Sequence, residues 1–388
     1  MSVDEQLLDK VRARLIAVSA EPVPVHVAAA LRDEGVVLGD AAMLAVVDSL
    51  ASELRGAGPL DELLSLPGVT DVLVNGHREV WIDRGGGLEL TPIRFRDDRA
   101  VRHLAQRLAA ATGRRLDDSS PYVDARMRDG TRLHAVLAPV ATDGTCISLR
   151  IPRTAGFSLA ELQALGLVDG RGQRWLAALV QSRLSFVVSG GTGSGKTTLL
   201  GSLLSLVDPR HRIVVVEDSS ELTPQHPHVI RLEARPPNLE GSGAIVMRDL
   251  VRQALRMRPD RLVVGEVRGA EVVDLLAALN TGHEGGCGTV HANSADDVPA
   301  RLEALALAAG LPRDALHAQV AAGLDAVVHL HRDRDGARRL QCVAELVREE
   351  GRVACVPALT RHEGRWVQGA AHESLAARIG LDAVGDAA

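Results

Sequence analysis

Lysine is nearly absent from this chain of 388 residues: of 44 lysine and arginine side chains only two, Lys10 and Lys196, are lysines. Aromatic residues are almost as rare, with three Trp, three Phe and one Tyr. Any core must therefore be built from Ala, Val, Leu and Ile. The preference for Arg over Lys, with abundant Ala and Gly, fits a GC-rich coding background and strips meaning from most single Ala, Gly and Arg residues. So few aromatics leave few stacking platforms for a single nucleic-acid strand. A net charge of −6 gives no whole-chain attraction to nucleic acid or to an anionic membrane. The four cysteines, Cys146, Cys287, Cys342 and Cys355, lie far apart without a CxxC pair. That excludes a disulfide framework and a zinc module, and fits a reducing cytosol. No apolar run reaches the roughly 18 residues of a membrane span, and "MSVDEQLLDK" lacks the basic and apolar regions of a signal peptide. The expectation is a soluble, cytoplasmic chain.

What is present is organised in blocks. The length predicts two or three compact units. Residues 1–57 read as a helical segment, with Leu7, Leu8, Val11, Leu15 and Ile16 at helical spacing and "AAMLAVVDSLASEL" continuing after the proline-bearing "EPVPV". Residues 58–151 read as a smaller α+β domain. "VTDVLVNGHREVWIDRGG" predicts strands at Asp71–Val74 and Glu79–Asp83 around an Asn75-Gly76 turn. "DDRAVRHLAQRLAAATG" predicts a helix with Val101, Leu104 and Leu108 on one face and a stop at Gly113. "RLHAVLAPV" and "TCISLRI" complete the unit, and residues 152–158 read as a linker.

From residue 159 to 388 the grammar changes. "FVVSG" (186–190), "RIVVVED" (212–218), "RLVVGEV" (261–267) and "GTVHA" (288–292) are short Val/Ile-rich runs separated by helical stretches, the pattern of a mostly parallel sheet covered on both faces. Residues 219–247, with Pro224, Pro227, Pro236 and Pro237, show no period and read as a long loop or irregular hairpin; such loops are often functional. After residue 331, "LQCVAELV" and "RVACVPAL" read as an added small sheet.

Lys196 lies in "SGGTGSGKTT". Gly190 to Thr197 match GxxxxGK[ST], with a β run before and the helical "TTLLGSLLSLV" after, as a phosphate-binding loop requires. Backbone N–H groups of Gly191, Thr192, Gly193, Ser194, Gly195, Lys196, Thr197 and Thr198, with the helix N-terminus, suit phosphate oxygens. A compact ammonium reaches between β- and γ-phosphates where a planar guanidinium is too wide, which explains a lysine in an arginine-rich chain. The Thr197 hydroxyl suits Mg²⁺. The guanine-reading NKxD motif needs a lysine, and neither Lys10 nor Lys196 stands in one, so ATP is the expected nucleotide.

Two carboxylates end apolar runs. Glu217, in "IVVVEDSSEL", falls where an open parallel sheet binds ligands. It reads either as the group orienting an attacking water, with an ordinary pKa, or as one acid of a helix N-terminus together with Asp218 and Glu221. Glu266, in "RPDRLVVGEVRG", suits Mg²⁺ held through water beside Thr197, with Arg268 two residues on. "NTGHEGGCGTVHANS" brings His283 and His291 to a fourth run, as γ-phosphate sensors or as ordinary structural histidines; their spacing gives no metal site.

In combination these blocks resemble the secretion ATPases of type II and type IV secretion and type IV pilus systems, most closely the Tad/Flp pilus-assembly branch (CpaF/TadA-like). The similar blocks, in order, are "GVTDVLVNG", "SPYVDARMRDGTRLHAVLAPV", Walker A "GGTGSGKTT", the acidic box "IVVVEDSSEL", the Walker B segment "RDLVRQALRMRPDRLVVGEVRG" and the His box "NTGHEGGCGTVHANS", covering about residues 58–330. The resemblance implies a RecA-like P-loop NTPase domain, ATP and Mg²⁺ as ligands, a homohexameric ring, and a polytopic inner-membrane platform protein as partner. The place would be the cytoplasmic face of the membrane. It implies Glu217 as catalytic glutamate, Glu266 as Walker B acid, His291 and His283 as His-box residues, and Arg126, Arg132, Arg150 and Arg268 as arginines that stabilise phosphate charge. The chain departs from the family in its "GGCGTVHAN" turn, where a serine-rich turn is commoner, and in a short N-terminal extension. The absence of a tetracysteine module argues against the type II branch. The alternatives are a conjugation-type type IV secretion ATPase, a RecA-like nucleic-acid translocase, which negative charge and scarce aromatics disfavour, and a scaffold that binds ATP without turnover.

Overall fold

A computed structural model describes residues 10–11, 14, 23–36, 39, 43, 46–47, 56–127, 129–151, 156–235, 237, 242–333 and 335–381. The chain divides into two units, residues 1–153 and 154–388.

In the first unit the helix Pro24–Asp33 buries Val27, Ala30 and Leu31 against Val11, Val46 and Val47. Much of the remaining predicted helical segment, including most of "AAMLAVVDSLASEL", lies outside the described residues. The α+β part is a six-stranded antiparallel sheet of β1 (Asp71–Asn75), β2 (Glu79–Asp83), β3 (Leu88–Leu90), β4 (Tyr122–Arg126), β5 (Arg132–Val136) and β6 (Cys146–Arg150), ordered β3-β2-β1-β6-β5-β4. Strand alternation buries Val72, Val74, Ile82, Leu133, Ile147 and Leu149 with Val101, Leu104 and Leu108 of the helix Asp98–Ala111. The Asp97 carboxylate caps that helix by accepting from the Ala100 N–H at 2.9 Å, and Gly113, at φ 73°, follows its end.

The second unit is built on one nine-stranded sheet. Its strands are β7 (Phe186–Gly190), β8 (Ile213–Glu217), β9 (Val229–Glu233), β10 (Arg261–Val267), β11 (Cys287–Val290), β12 (Ala326–Arg332), β13 (Arg338–Glu349), β14 (Arg352–His362) and β15 (Arg365–Gln368). The order is β15-β14-β13-β12-β7-β11-β10-β8-β9, parallel from β12 to β9 and antiparallel from β12 to β15. Successive strand residues face opposite sides: Val188 and Val215 join one apolar core, Val187, Val214 and Val216 the other. Each fully buried Val or Leu contributes about 1.5–3 kcal/mol, and on one face the buried aromatics Trp175 and Phe186 add to them.

Two expectations are corrected here. Residues 338–368 do not form a separate small sheet; β13, β14 and β15 extend the main one, because β12 offers β13 a free antiparallel edge. Within residues 219–247, expected as a long loop or irregular hairpin, the antiparallel Arg235–Ile245 bridge agrees with the hairpin, whereas Val229–Glu233 is a parallel edge strand on β8 that was not expected. Its half-exposed "VIRLE" lacks the continuous apolar character of an inner strand.

Candidate active site

Because β7, β8, β10 and β11 run parallel, their C-terminal ends meet at one edge of the sheet. Gly190, Glu217, Glu266 and His291 all stand at or just beyond those ends. The turn after β7 passes through Gly190 at φ 150°, Gly193 at 70° and Gly195 at 96° into the helix Lys196–Leu204. A β-carbon at Gly190 would come 2.5 Å from the Leu330 carbonyl oxygen and 2.6 Å from Ser194 Oγ. No side chain caps that helix, so its first N–H groups remain directed at the turn.

Lys196 is buried, and its ammonium donates to the carbonyls of Gly190 (3.1 Å) and Gly191 (3.0 Å). It also lies 3.4 Å from His291 Nδ1, while His291 Nε2 lies 2.8 Å from Glu266 Oε1. Nε2–H donates to the carboxylate, and the ammonium, at 3.5 Å from Nε2 as well, lies against the ring, so Lys196, His291 and Glu266 form one contact chain. Burial pulls the lysine below its ordinary pKa, opposed by Glu266. Burial and the neighbouring ammonium lower the His291 pKa as well, opposed by Glu266.

Glu217 is buried at the end of β8. Its Oε1 accepts from the N–H groups of Glu221 and Leu222, both at 3.0 Å, whereas Oε2 is buried without a protein partner. Its pKa is therefore not ordinary: burial pushes it up, against the pull of those two N–H donors. The space for this side chain comes from Gly265, where a β-carbon would meet Glu217 Cγ at 2.5 Å. At Gly265 and Glu266 the β10–β11 register shifts, and the Thr289 hydroxyl donates to the Gly265 carbonyl at 2.6 Å. A glycine inside "VVGEV" is the one sequence signal for this bulge.

The geometry accommodates a magnesium nucleotide. The turn offers backbone N–H groups, the Thr197 side chain is partly exposed at the helix start, and Glu266 is partly exposed beside His291. An orphaned Glu217 oxygen calls for a polar partner such as water. Among the described residues no group of three or more His, Cys, Asp and Glu forms a metal cluster. A cavity of about 620 Å³, lined by Val180, Arg183, Val207, Asp208 and Arg261 among others, lies at the opposite end of the strands, away from this chemistry.

The other candidates fall elsewhere. Arg268 pairs with Asp218 at 2.6 Å, joining the chain after β10 to that after β8. His283 precedes β11, at the edge opposite Gly190, and its Nδ1 lies 3.1 Å from the Ala278 carbonyl. The structure thus separates the two histidines by the length of β11. Arg126, Arg132 and Arg150 belong to the first unit, where they are direct register neighbours on β4, β5 and β6, followed by Asp71 on β1. The unusual "GCG" turn has a packing reason: Cys287 is buried, and a β-carbon at Gly288 would meet the Val264 carbonyl at 2.7 Å.

The sequence model of type II/IV secretion system proteins matches residues 53–368. The chain belongs to that family. Among relatives of this secretion-system protein, a putative conjugal transfer protein of Mycobacterium tuberculosis (strain H37Rv) is 58% identical over 322 residues, covering 81% of this chain and 92% of the relative. The type IV secretion system protein PtlH homolog of Bordetella bronchiseptica is 33% identical over 309 residues, covering 71% and 89%. Two solved structures share the fold. The pilus retraction motor PilT with bound ADP has TM-score 0.53 at 21% identity, over 73% of this chain and 80% of the other. The ATPase DotB of Legionella pneumophila has TM-score 0.51 at 21% identity, over 77% and 80%. Within the described residues of this family member, no helix is long and apolar enough to cross a membrane.

Proposed function

We propose that this member of the type II/IV secretion family is a Mg²⁺-dependent ATPase, working as a homohexamer to power pilus assembly or protein secretion of the Tad/Flp kind at the cytoplasmic face of the inner membrane. One observation carries the reading: the chain Lys196, His291, Glu266 and the half-satisfied carboxylate of Glu217 stand at the same sheet edge as the phosphate-binding turn.

In this reading Lys196 leaves the Gly190 and Gly191 carbonyls for phosphate oxygens, and the imidazole of His291, in contact with the ammonium, stays beside it. The N–H groups of residues 191–198 hold the phosphates without reorganising. Glu217 uses Oε2 to accept a hydrogen bond from the attacking water, while the Glu221 and Leu222 N–H groups fix the carboxylate's direction; a raised pKa makes it a better base than an exposed glutamate. Thr197 and Glu266 hold Mg²⁺, which when bound neutralises phosphate charge. Arg126, Arg132 and Arg150 are proposed to reach the nucleotide of a neighbouring subunit; such an arginine supplies on the order of 10³ to 10⁵ in rate. Arg268, held by Asp218, is proposed to relay nucleotide state along the edge, and His283 is assigned a structural role. The partner would be a polytopic membrane platform protein.

The test is steady-state Mg·ATP hydrolysis on size-fractionated protein, beside Glu217→Gln and with single-stranded DNA added. Activity confined to the high-mass fraction, lost in the variant and indifferent to DNA, is expected. Activity in the monomer or strong DNA stimulation would favour a translocase, and binding without turnover a scaffold. A conjugation-type type IV secretion ATPase is the second reading, supported by the conjugal-transfer description of the 58% identical relative. Deletion in the host separates the two: loss of surface pili supports the first, loss of DNA transfer with pili intact the second.

A further inference from the structure

β12 runs beside β7, and Leu330 stands in register with Gly190 at the start of the phosphate-binding turn. The chain continues past that point and turns back into β13, so that Arg332 and Arg338 face each other as the last pair of the β12–β13 ladder. Both residues are exposed. They lie over the turn: a β-carbon at Gly193 would come 3.5 Å from Arg332 Nη1, and one at Gly195 would come 3.7 Å from Arg338 Cδ. Arg332 Nη2 would meet a β-carbon at Gly336, near the tip of the hairpin, at 3.8 Å.

Like charges directly opposite each other on neighbouring strands repel and destabilise the pairing. The hairpin's own acids do not relieve this repulsion. Asp333 takes Arg339 at 2.9 Å and His331 at 3.8 Å, and Asp335 accepts from the Ala337 N–H at 3.0 Å. Among the described residues neither Arg332 nor Arg338 has a hydrogen-bond or ion-pair partner. Two unneutralised guanidinium groups thus border a turn whose backbone N–H groups already suit an anion.

We propose that Arg332 and Arg338 are nucleotide-binding residues, whose guanidinium groups hold the α- and β-phosphate oxygens of a nucleotide seated in the turn. The inference rests on the ATPase reading and deepens it. Sheet order decides which phosphates they address. β12 and β11 flank β7 on opposite sides, so the arginine pair stands on the flank away from His291 and Glu266, which lie at the ends of β11 and β10. The γ-phosphate belongs, in that reading, with Lys196, His291 and Glu266. The pair therefore acts on the phosphates that ADP and ATP share. A planar guanidinium presents parallel N–H donors to phosphate oxygens, and a bound diphosphate offsets the repulsion within the pair.

The experiment measures binding of a fluorescent ADP and of a fluorescent non-hydrolysable ATP analogue to the full-length protein, displacement of the labelled ADP by inorganic pyrophosphate, and kcat and KM for ATP. Arg332→Gln and Arg338→Gln keep a polar side chain and remove the charge. In each, both nucleotides and pyrophosphate are expected to bind about tenfold more weakly, the worth of one charge-assisted hydrogen bond. The ATP-over-ADP ratio should stay unchanged, with KM raised and kcat kept. The melting temperature without nucleotide is expected to hold or rise, because a like-charge pair has been removed, whereas a structural role would lower it. Unchanged ADP affinity in both folded variants would overturn the proposal. So would weakening of the ATP analogue alone, which puts the pair at the γ-phosphate, or unchanged displacement by pyrophosphate, which puts it at the base or ribose. If the wild type binds neither nucleotide, the ATPase reading itself falls. Binding that Lys196→Ala abolishes and both arginine variants keep refutes this proposal alone.

Discussion

Glu217 rests against the bare α-carbon of Gly265: a β-carbon there would come 2.5 Å from Glu217 Cγ and 3.1 Å from its Oε1. The carboxylate proposed to orient water is thus aimed by a glycine on the neighbouring strand. Gly265→Ala is expected to lower kcat by about tenfold to a hundredfold, since a displacement near 1 Å at a reacting group can cost that much. Nucleotide affinity should stay within about twofold, as the phosphate-binding turn is untouched. Stopped turnover with equal loss of binding would show that Gly265 supports the whole fold instead.

Burial raises the Glu217 pKa, and this has a sign in both activity and stability. As a base it must be ionised, so kcat/KM should fall as pH drops through a value above the ordinary carboxylate range. For stability, the folded state holds the proton more tightly than the unfolded one, so the wild type loses stability as pH rises from the unfolded pKa to the raised folded pKa. Glu217→Gln has no such proton. Its stability relative to wild type should therefore rise with pH across that window and level off above it. Thermal melts from acid to neutral pH decide the matter, and a flat difference would contradict the burial argument.

Lys196→Arg should not restore what Lys196→Ala loses. Both variants are expected to weaken ATP binding by about ten- to a hundredfold, the worth of one or two charge-assisted hydrogen bonds. The guanidinium is too broad for the space between β- and γ-phosphates that a compact ammonium reaches. Calorimetric titration with ATP measures this, and wild-type affinity in the arginine variant would refute it.

Glu266→Gln should act through the metal. A neutral amide at the end of His291 Nε2–H keeps a hydrogen bond but removes the charge facing Mg²⁺ and Lys196. The expected outcome is a higher Mg²⁺ concentration for half-maximal activity, by about tenfold, with saturating-metal turnover also lowered. An unchanged metal titration would remove Glu266 from the magnesium site.

Much of this was legible because the relevant physics is local in sequence. The phosphate-binding turn needs glycines at fixed offsets between a strand and a helix, and Gly190, Gly193, Gly195 and Lys196 carry that requirement in seven residues. Likewise the runs 186–190, 213–217, 261–267 and 287–290 are mostly apolar because both faces of those strands are covered. The edge strand Val229–Glu233 escaped notice for the converse reason, being half exposed and polar in alternate positions. The antiparallel extension β13 to β15 was legible as strands, but their attachment was not, since any free edge would have satisfied their backbone groups.

The sequence by itself determined the parallel core, the nucleotide-binding turn and the order of its acidic and histidine blocks, because periodicity and glycine spacing are properties of contiguous residues. Only the tertiary structure decided which of those residues meet. It put His291 on Lys196 and Glu266, sent His283 to the opposite edge, gave Arg268 to Asp218, and joined Ser189 to His329 across 140 positions of chain. Parallel strands explain the difference: they gather their C-terminal ends at one edge from distant parts of the chain, so a residue's role depends on which end of its strand it follows.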